Sequence, residues 1–195
     1  MTISSGKKMR VRYYLTNYYA LPLSKVCAII MLSIVIWICL STIFNPDRKT
    51  LHRVWRGTNL VVLLLSVALI AEKTLLGRST GNRELQLIPF YTFTTVSYNN
   101  EAIRGLLMNT VLFLPFGLTI PHLLEIKEKN NKARWCMSVL SGLGISILVE
   151  CLQFVFGIGR AETDDVICNT LGCALGVSAD IVATVIITKI KLRKK

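Results

Sequence analysis

Acidic residues and histidine are scarce in this chain. There are 11 Asp and Glu against 23 Lys and Arg, and the only histidines are His52 and His122. The two histidines are not spaced as ligands, and no metal or cofactor is expected. Six cysteines occur, but none forms a CxxC pair, and all lie in or beside apolar blocks. That argues against a disulfide frame or a zinc site and for small apolar packing residues. The sequence contains no GxSxG, no HExxH and no P-loop, so the common hydrolase and nucleotidase signatures are missing. A net charge of +12 without an aromatic-basic ribonucleoprotein motif points away from a nucleic-acid partner. No small-residue cleavage site follows the first apolar block, so no cleavable signal peptide is expected. Internal repeats and low-complexity linkers are also missing.

What the chain does have is apolar residues in long blocks. At 52% they are only slightly above a soluble domain, where roughly 45–50% is usual. Their distribution decides the class, because the charges fall between the blocks. A hydrocarbon core of ~30 Å needs ~20 apolar residues of helix, and several blocks reach that length. The reading is an all-α, polytopic transmembrane helix bundle with about five spanning helices, near 26–44, 59–76, 103–124, 135–156 and 166–188. Arg48, Lys49, Arg53 and Arg56 read as a basic loop after the first helix. Leu85–Phe90 is an apolar island too short to span, and Pro89 rules out a regular helix interior there. It reads as a short non-helical segment lying on the membrane or tucked into the protein.

The resulting organisation is a basic, Tyr-rich interfacial segment (1–25), an extra helix with its basic loop (26–58), a membrane domain (59–188) and a basic tail (189–195). Lys and Arg in short loops bias the tail to the cytoplasmic side, although the basic N-terminal segment opposes that bias.

Ionisable groups inside a membrane are costly, ~2.5–3.5 kcal/mol for a charge at a helix centre on insertion scales. Glu150 therefore needs a reason. Ser138, Gly142, Ser146, Glu150 and Gln153 fall on one helical face, where small residues let another helix approach. Asp165, Asn169, Gly172 and Gly176 repeat the pattern on the next helix. A short loop joins the two helices, so they are expected to be neighbours. Glu150 lies about 9 Å inside its helix end, Asn109 about 9 Å inside its own, and Asn169 about 6 Å beyond Asp165, at 1.5 Å per residue. All three depths are measured from one side of the membrane, the outer side in the preferred orientation. Arg160, Asp164 and the Pro89–Phe90 island lie on that side too. Arg160 is placed to neutralise Glu150 or Asp165. Asp180 is expected to pair with Lys or Arg of the tail, and neither histidine is expected in a site. Hydrogen bonding between helices, at about 0.6–2 kcal/mol per polar side chain, remains a purely structural alternative.

The motifs resemble the VanZ-like family. Asn109, Phe113, Pro115, Phe116 and Gly117 fit its N-x-x-x-F-x-P-F-G run. Glu150 and Gln153 fit its E-x-x-Q helix, and Asp164, Asp165, Asn169, Thr170 and Gly172 fit D-D-x-x-x-N-T-x-G. Leu87, Pro89 and Phe90 fit its outer N-L-x-P-F element, with Gln86 where Asn is usual. Each motif is short, and their shared order makes the match specific. The resemblance implies a bacterial plasma-membrane protein. It marks Asn109, Glu150, Gln153, Asp165 and Asn169 as the functional set, with Arg160 and Asp164 less uniform. The family's founding member confers teicoplanin resistance, which most relatives need not share.

Three functions follow as expectations. One is an outward-facing polar pocket that binds or acts on an amphiphile: a membrane lipid, a lipid-linked envelope precursor or a lipoglycopeptide such as teicoplanin. Asn109, Gln153, Arg160, Asp164, Asp165, Asn169, Pro89 and Phe90 would line it. Another is a membrane-embedded enzyme on a lipid or lipid-linked glycan, with Glu150 as catalytic acid or base; Asp164 and Asp165 would suit a hard cation but equally a helix N-terminus. The last is a structural or transport component whose polar residues are glue. Oligomeric state is left open.

Overall fold

The computed structural model describes residues 48–75, 81, 83–95, 100–124 and 131–193. The expected helix at 26–44 and the segment 1–25 lie outside the described residues. In chain order the elements are α1 (Arg48–Thr74), β1 (Arg83–Gln86), α2 (Tyr91–Thr95), α3 (Asn100–Leu123), α4 (Asn131–Phe156), β2 (Gly159–Glu162) and α5 (Thr163–Arg193). Among the described residues four helices, α1, α3, α4 and α5, are long and apolar enough to cross a membrane, against the expected total of about five.

Two boundaries differ from expectation. Arg48, Lys49, Arg53 and Arg56 are helical, not looped, because α1 starts about three turns early. No proline interrupts that stretch, and Arg, Lys and Leu are good helix formers. For the same reason α5 continues through Lys189 and Lys191 to Arg193.

The surface is inverted relative to a soluble domain. Leu64, Leu65, Leu140, Leu148, Val182 and Ile186 are exposed, whereas Asn59, Ser138, Ser146, Gln153, Asn169 and Asp180 are buried. Large apolar side chains outside and polar ones inside fit a lipid solvent. The apolar core is small, centred on Leu112, Phe113, Phe116, Val149, Cys173 and Val177.

Helix α5 packs against α3 and α4, and α3 also packs against α1. The glycine pair of α5 turns toward α3. A Cβ at Gly172 would lie 2.0 Å from the Thr110 carbonyl oxygen, and one at Gly176 would lie 2.2 Å from that of Leu114. Gly117 of α3 returns the contact, 2.2 Å from the Cys173 carbonyl oxygen. These two backbones touch directly, so only glycine fits. The α4–α5 contact expected from the same pattern also forms, through other residues. Gly142 faces the Cys173 side chain, and Cys173 Sγ donates to the Ser138 carbonyl.

The ends carry the site. At its C-terminus α4 closes with Gly157 at φ +62°. Ile158 N donates to Gln153 O and Gly157 N to Phe154 O, the paired bonds of a Schellman cap. The chain then enters β2, which pairs in parallel with β1: Arg83 with Gly159, Glu84 with Arg160, Leu85 with Ala161 and Gln86 with Glu162. This two-stranded sheet replaces the expected loop. It also ties the apolar island to the α4–α5 connection.

Candidate functional site

Gln153 leaves α4 about one turn before its end and Glu150 nearly two turns before it. Glu150 is buried, and its Oε2 accepts the Glu162 backbone N–H at 2.9 Å. The intramembrane carboxylate thus holds the last residue of β2. Gln153 is fully buried and donates from Nε2 to the Thr74 carbonyl at 3.0 Å. A carbonyl only accepts, so this bond fixes the amide orientation. It also joins the ends of α4 and α1.

Glu162 is the hub of the sheet end. Its Oε1 accepts from Arg160 Nε at 2.7 Å, and its Oε2 from Thr92 Oγ1 at 3.3 Å. Arg160 therefore pairs with Glu162, not with Glu150 or Asp165. Residues two apart on a strand share a face, which puts the two side chains together. The Glu162 bond foremost holds the Arg160 guanidinium pKa above its ordinary value. With Arg160 42% exposed, the pair adds little to stability and stays open to an external anion.

Asp164 is buried and works on the backbone. One oxygen accepts the Phe90 N–H and the other the Thr92 N–H at 2.8 Å. A carboxylate accepting two amides at the start of α2, and itself in the first turn of α5, anchors the island to α5. Thr163 Oγ1 adds a bond to the Gln86 carbonyl at 3.3 Å. Gln86, standing where asparagine is usual, thus contributes through its backbone. Pro89 and the Phe90 side chain, expected as lining, face outward.

Asn169 sits deeper. It donates from Nδ2 to Ser146 Oγ at 2.9 Å, bridging α5 to α4. Asn169 Oδ1 and Gln153 Oε1 are buried acceptors without a partner among the described residues. Such oxygens cost about 1–3 kcal/mol each and suit a donor from a ligand or water. Asn109 is buried on α3; no hydrogen bond among the described residues joins it to these groups. Asp165 follows Asp164 in the first turn of α5, half-buried.

Glu150, Arg160 and Asp164 therefore meet through Glu162 and Thr92, with Gln153 and Asn169 flanking them. Thr92, Thr74 and the hub role of Glu162 did not stand out in the sequence, because each enters through a strand pairing or a contact with a distant segment; Ser146 did, on the face it shares with Glu150 and Gln153. No group of three His, Cys, Asp or Glu among the described residues is placed to hold a metal ion.

A second polar cluster lies at the opposite end of the bundle. Asp180 is fully buried and meets His122 Nε2 at 2.6 Å and Arg134 at 3.0 Å. Trp55 Nε1 donates to His122 Nδ1 at 3.5 Å. The expected tail partners are displaced because α5 stays helical and carries Lys189 about 13 Å further along its axis. His122 is thus a structural partner of Asp180.

The fold defines a polytopic membrane protein whose helix bundle carries one polar cluster at each end, with Glu150, Arg160, Glu162 and Asp164 at one and Asp180, His122 and Arg134 at the other. The particular family follows from sequence comparison: the chain matches the VanZ/LLP1 family over residues 26–186 and belongs to it. It is 33% identical over 95 residues to "Protein VanZ" of Enterococcus faecium, covering 49% of this chain and 51% of that protein. The chain thus spans about half the length of this curated relative. No solved structure matches it significantly.

Proposed function

We propose that this protein binds an amphiphile from the outer leaflet of a bacterial plasma membrane, with its C-terminal tail on the cytoplasmic side. The ligand is a membrane lipid, a lipid-linked envelope precursor or a lipoglycopeptide such as teicoplanin. The observation carrying this reading is the gathering of Glu150, Glu162, Arg160 and Asp164 at one helix end, beside the amide oxygens of Gln153 and Asn169, which have no partner among the described residues. The exposed Arg160 would take an anionic group, phosphate or carboxylate, through its guanidinium fork. The buried amide oxygens would accept from sugar or amide donors. Acyl chains would remain against the lipid-facing leucines.

Support for a resistance role comes from the family and from the VanZ relative. The test compares teicoplanin with vancomycin, which lacks the lipid tail, in a susceptible host carrying no gene, the wild-type gene, Glu150→Gln or Arg160→Ala. The expected result is reduced teicoplanin susceptibility with wild type only, and a smaller vancomycin effect. Equal susceptibility in all strains removes the resistance role. Lipid co-purifying with the wild-type protein but not with Arg160→Ala would then be the remaining support for amphiphile binding.

A further inference from the structure

The segment between β1 and α2 is apolar, consecutive and exposed. Leu87 is 65% exposed, Ile88 62% and Phe90 55%, with Pro89 exposed between them. Leu85, on β1 two residues before Leu87, is exposed as well. Its backbone is held in an unfavourable shape. Phe90 has φ +60°, the left-handed region that glycine or asparagine normally fills after a proline in a type II turn. Phenylalanine there persists only when its surroundings impose the conformation. They do so here: Asp164 binds the amides of Phe90 and Thr92, β1 is laddered to β2, and Thr163 holds the Gln86 carbonyl. The result projects a large aromatic side chain away from the protein.

Two observations say what covers this projection. It is linked to the lipid-facing end of α4: Gly81 N donates to Gly157 O, beside the exposed Val155 and Phe156. Arg83, Arg104 and Arg160 are exposed at the same end of the bundle. Arginines at the same end as an apolar tip, with Glu84 exposed among them and Arg160 paired with Glu162, suit a charged headgroup layer above acyl chains, the arrangement of interfacial anchors that bury apolar residues ~5–10 Å into the headgroup–acyl boundary.

We infer that Leu87, Ile88, Pro89 and Phe90 form a braced apolar finger that inserts into the acyl region of the leaflet beside the Glu150 cluster. The finger fixes the sheet end, with Arg160 and Glu162, at headgroup level. This inference stands whether or not the polar cluster binds a ligand.

The full chain carrying p-benzoylphenylalanine at position 88 or, separately, at position 84 is reconstituted into vesicles of phosphatidylcholine and phosphatidylglycerol. After irradiation, adducts are identified by mass. The expected result is acyl-chain adducts as the main product at position 88, with a yield ~10-fold lower at position 84 on the sheet, as the depth difference implies. Equal lipid yields at both positions overturn the inference. So do adducts at position 88 that join the finger mainly to protein, whether the same chain or a second copy. Because the comparison uses exposed positions, it does not depend on a destabilised variant.

Discussion

Replacing Gly172 with alanine tests the direct contact between α3 and α5. The new Cβ would sit 2.0 Å from the Thr110 carbonyl oxygen, with further backbone atoms at 2.8 and 3.0 Å. Heavy atoms of this kind do not approach closer than 3.0 Å, so the helices must part by about 1 Å at that point. A radial gap of 0.5–1 Å forfeits roughly a quarter to a half of each dispersion well it opens. The contact repeats at Gly176 and Gly117, so the loss spreads along the interface. Overpacking of this kind costs about 1–3 kcal/mol. Alanine's better helix propensity offsets at most ~1 kcal/mol of that. Gly144 is the matched control, because a Cβ there meets nothing within 4 Å. Thermal or SDS-induced unfolding of the purified protein should rank Gly144→Ala at or above wild type and Gly172→Ala below it by roughly 1–2 kcal/mol. Equal stability of the two variants would refute the backbone-to-backbone contact and, with it, the placement of α5 against α3.

Asp180→Ala should be among the more damaging single changes, at about 3 kcal/mol, the lower end for breaking a buried pair, because it leaves the half-buried Arg134 without its carboxylate; an unfolding midpoint within error of wild type would contradict the described cluster. Asp164→Asn retains one acceptor and presents an amide donor to the other N–H, and losing a charged hydrogen bond costs about 1.5–3 kcal/mol. Hydrogen exchange at Phe90 and Thr92 should then accelerate ~10–100-fold while exchange in the core of α4 stays unchanged. Ser146→Ala removes the acceptor of Asn169 Nδ2 and should cost about 1–3 kcal/mol, whereas Ser141→Ala, whose hydroxyl donates only to its own helix at Met137, should be close to neutral. For Arg160→Ala the expected stability change is below ~1 kcal/mol, as for exposed ion pairs, so any large loss of ligand binding there would report on contact and not on folding.

The positions of the four described spans and the buried faces were legible because both follow from local periodicity. Ser138, Gly142, Ser146, Glu150 and Gln153 share one helical face in sequence, and all are buried in the structure. Pairings between distant segments were not legible. Arg160 has three carboxylates near it in sequence, Glu162, Asp164 and Asp165, besides Glu150. Only the strand geometry of β2 selects Glu162 and commits Asp164 to backbone amides. A four-residue strand carries too little alternation to announce itself, and β1 lies more than 70 residues before its partner. Asp180 failed for a related reason: helix propensity in the tail carried the nearby lysines away, and His122 and Arg134 arrived from other helices.

The two polar clusters differ in a way that bears on function. Asp180 is closed, with two cationic or potentially cationic partners drawn from α3 and α4 and no exposed surface. A buried carboxylate so paired has little left to offer a ligand, and its removal should read as lost stability. At the other end, carboxylates hold backbone: Glu150 binds the Glu162 amide, and Asp164 those of Phe90 and Thr92. They fix a sheet end that carries the exposed Arg160 and leave the Gln153 and Asn169 oxygens without a partner among the described residues. Such a site fixes its geometry before any ligand arrives, which lowers the ordering cost of binding. Glu150→Gln therefore separates the two roles. Glutamine keeps an acceptor for the Glu162 amide, so the sheet should hold and stability should fall by less than ~1.5 kcal/mol, the worth of a typical hydrogen bond. If Glu150 also works on the ligand through its charge, teicoplanin protection or lipid retention should vanish in that stable protein. Retained function would assign Glu150 to scaffolding alone and leave Arg160 to carry recognition.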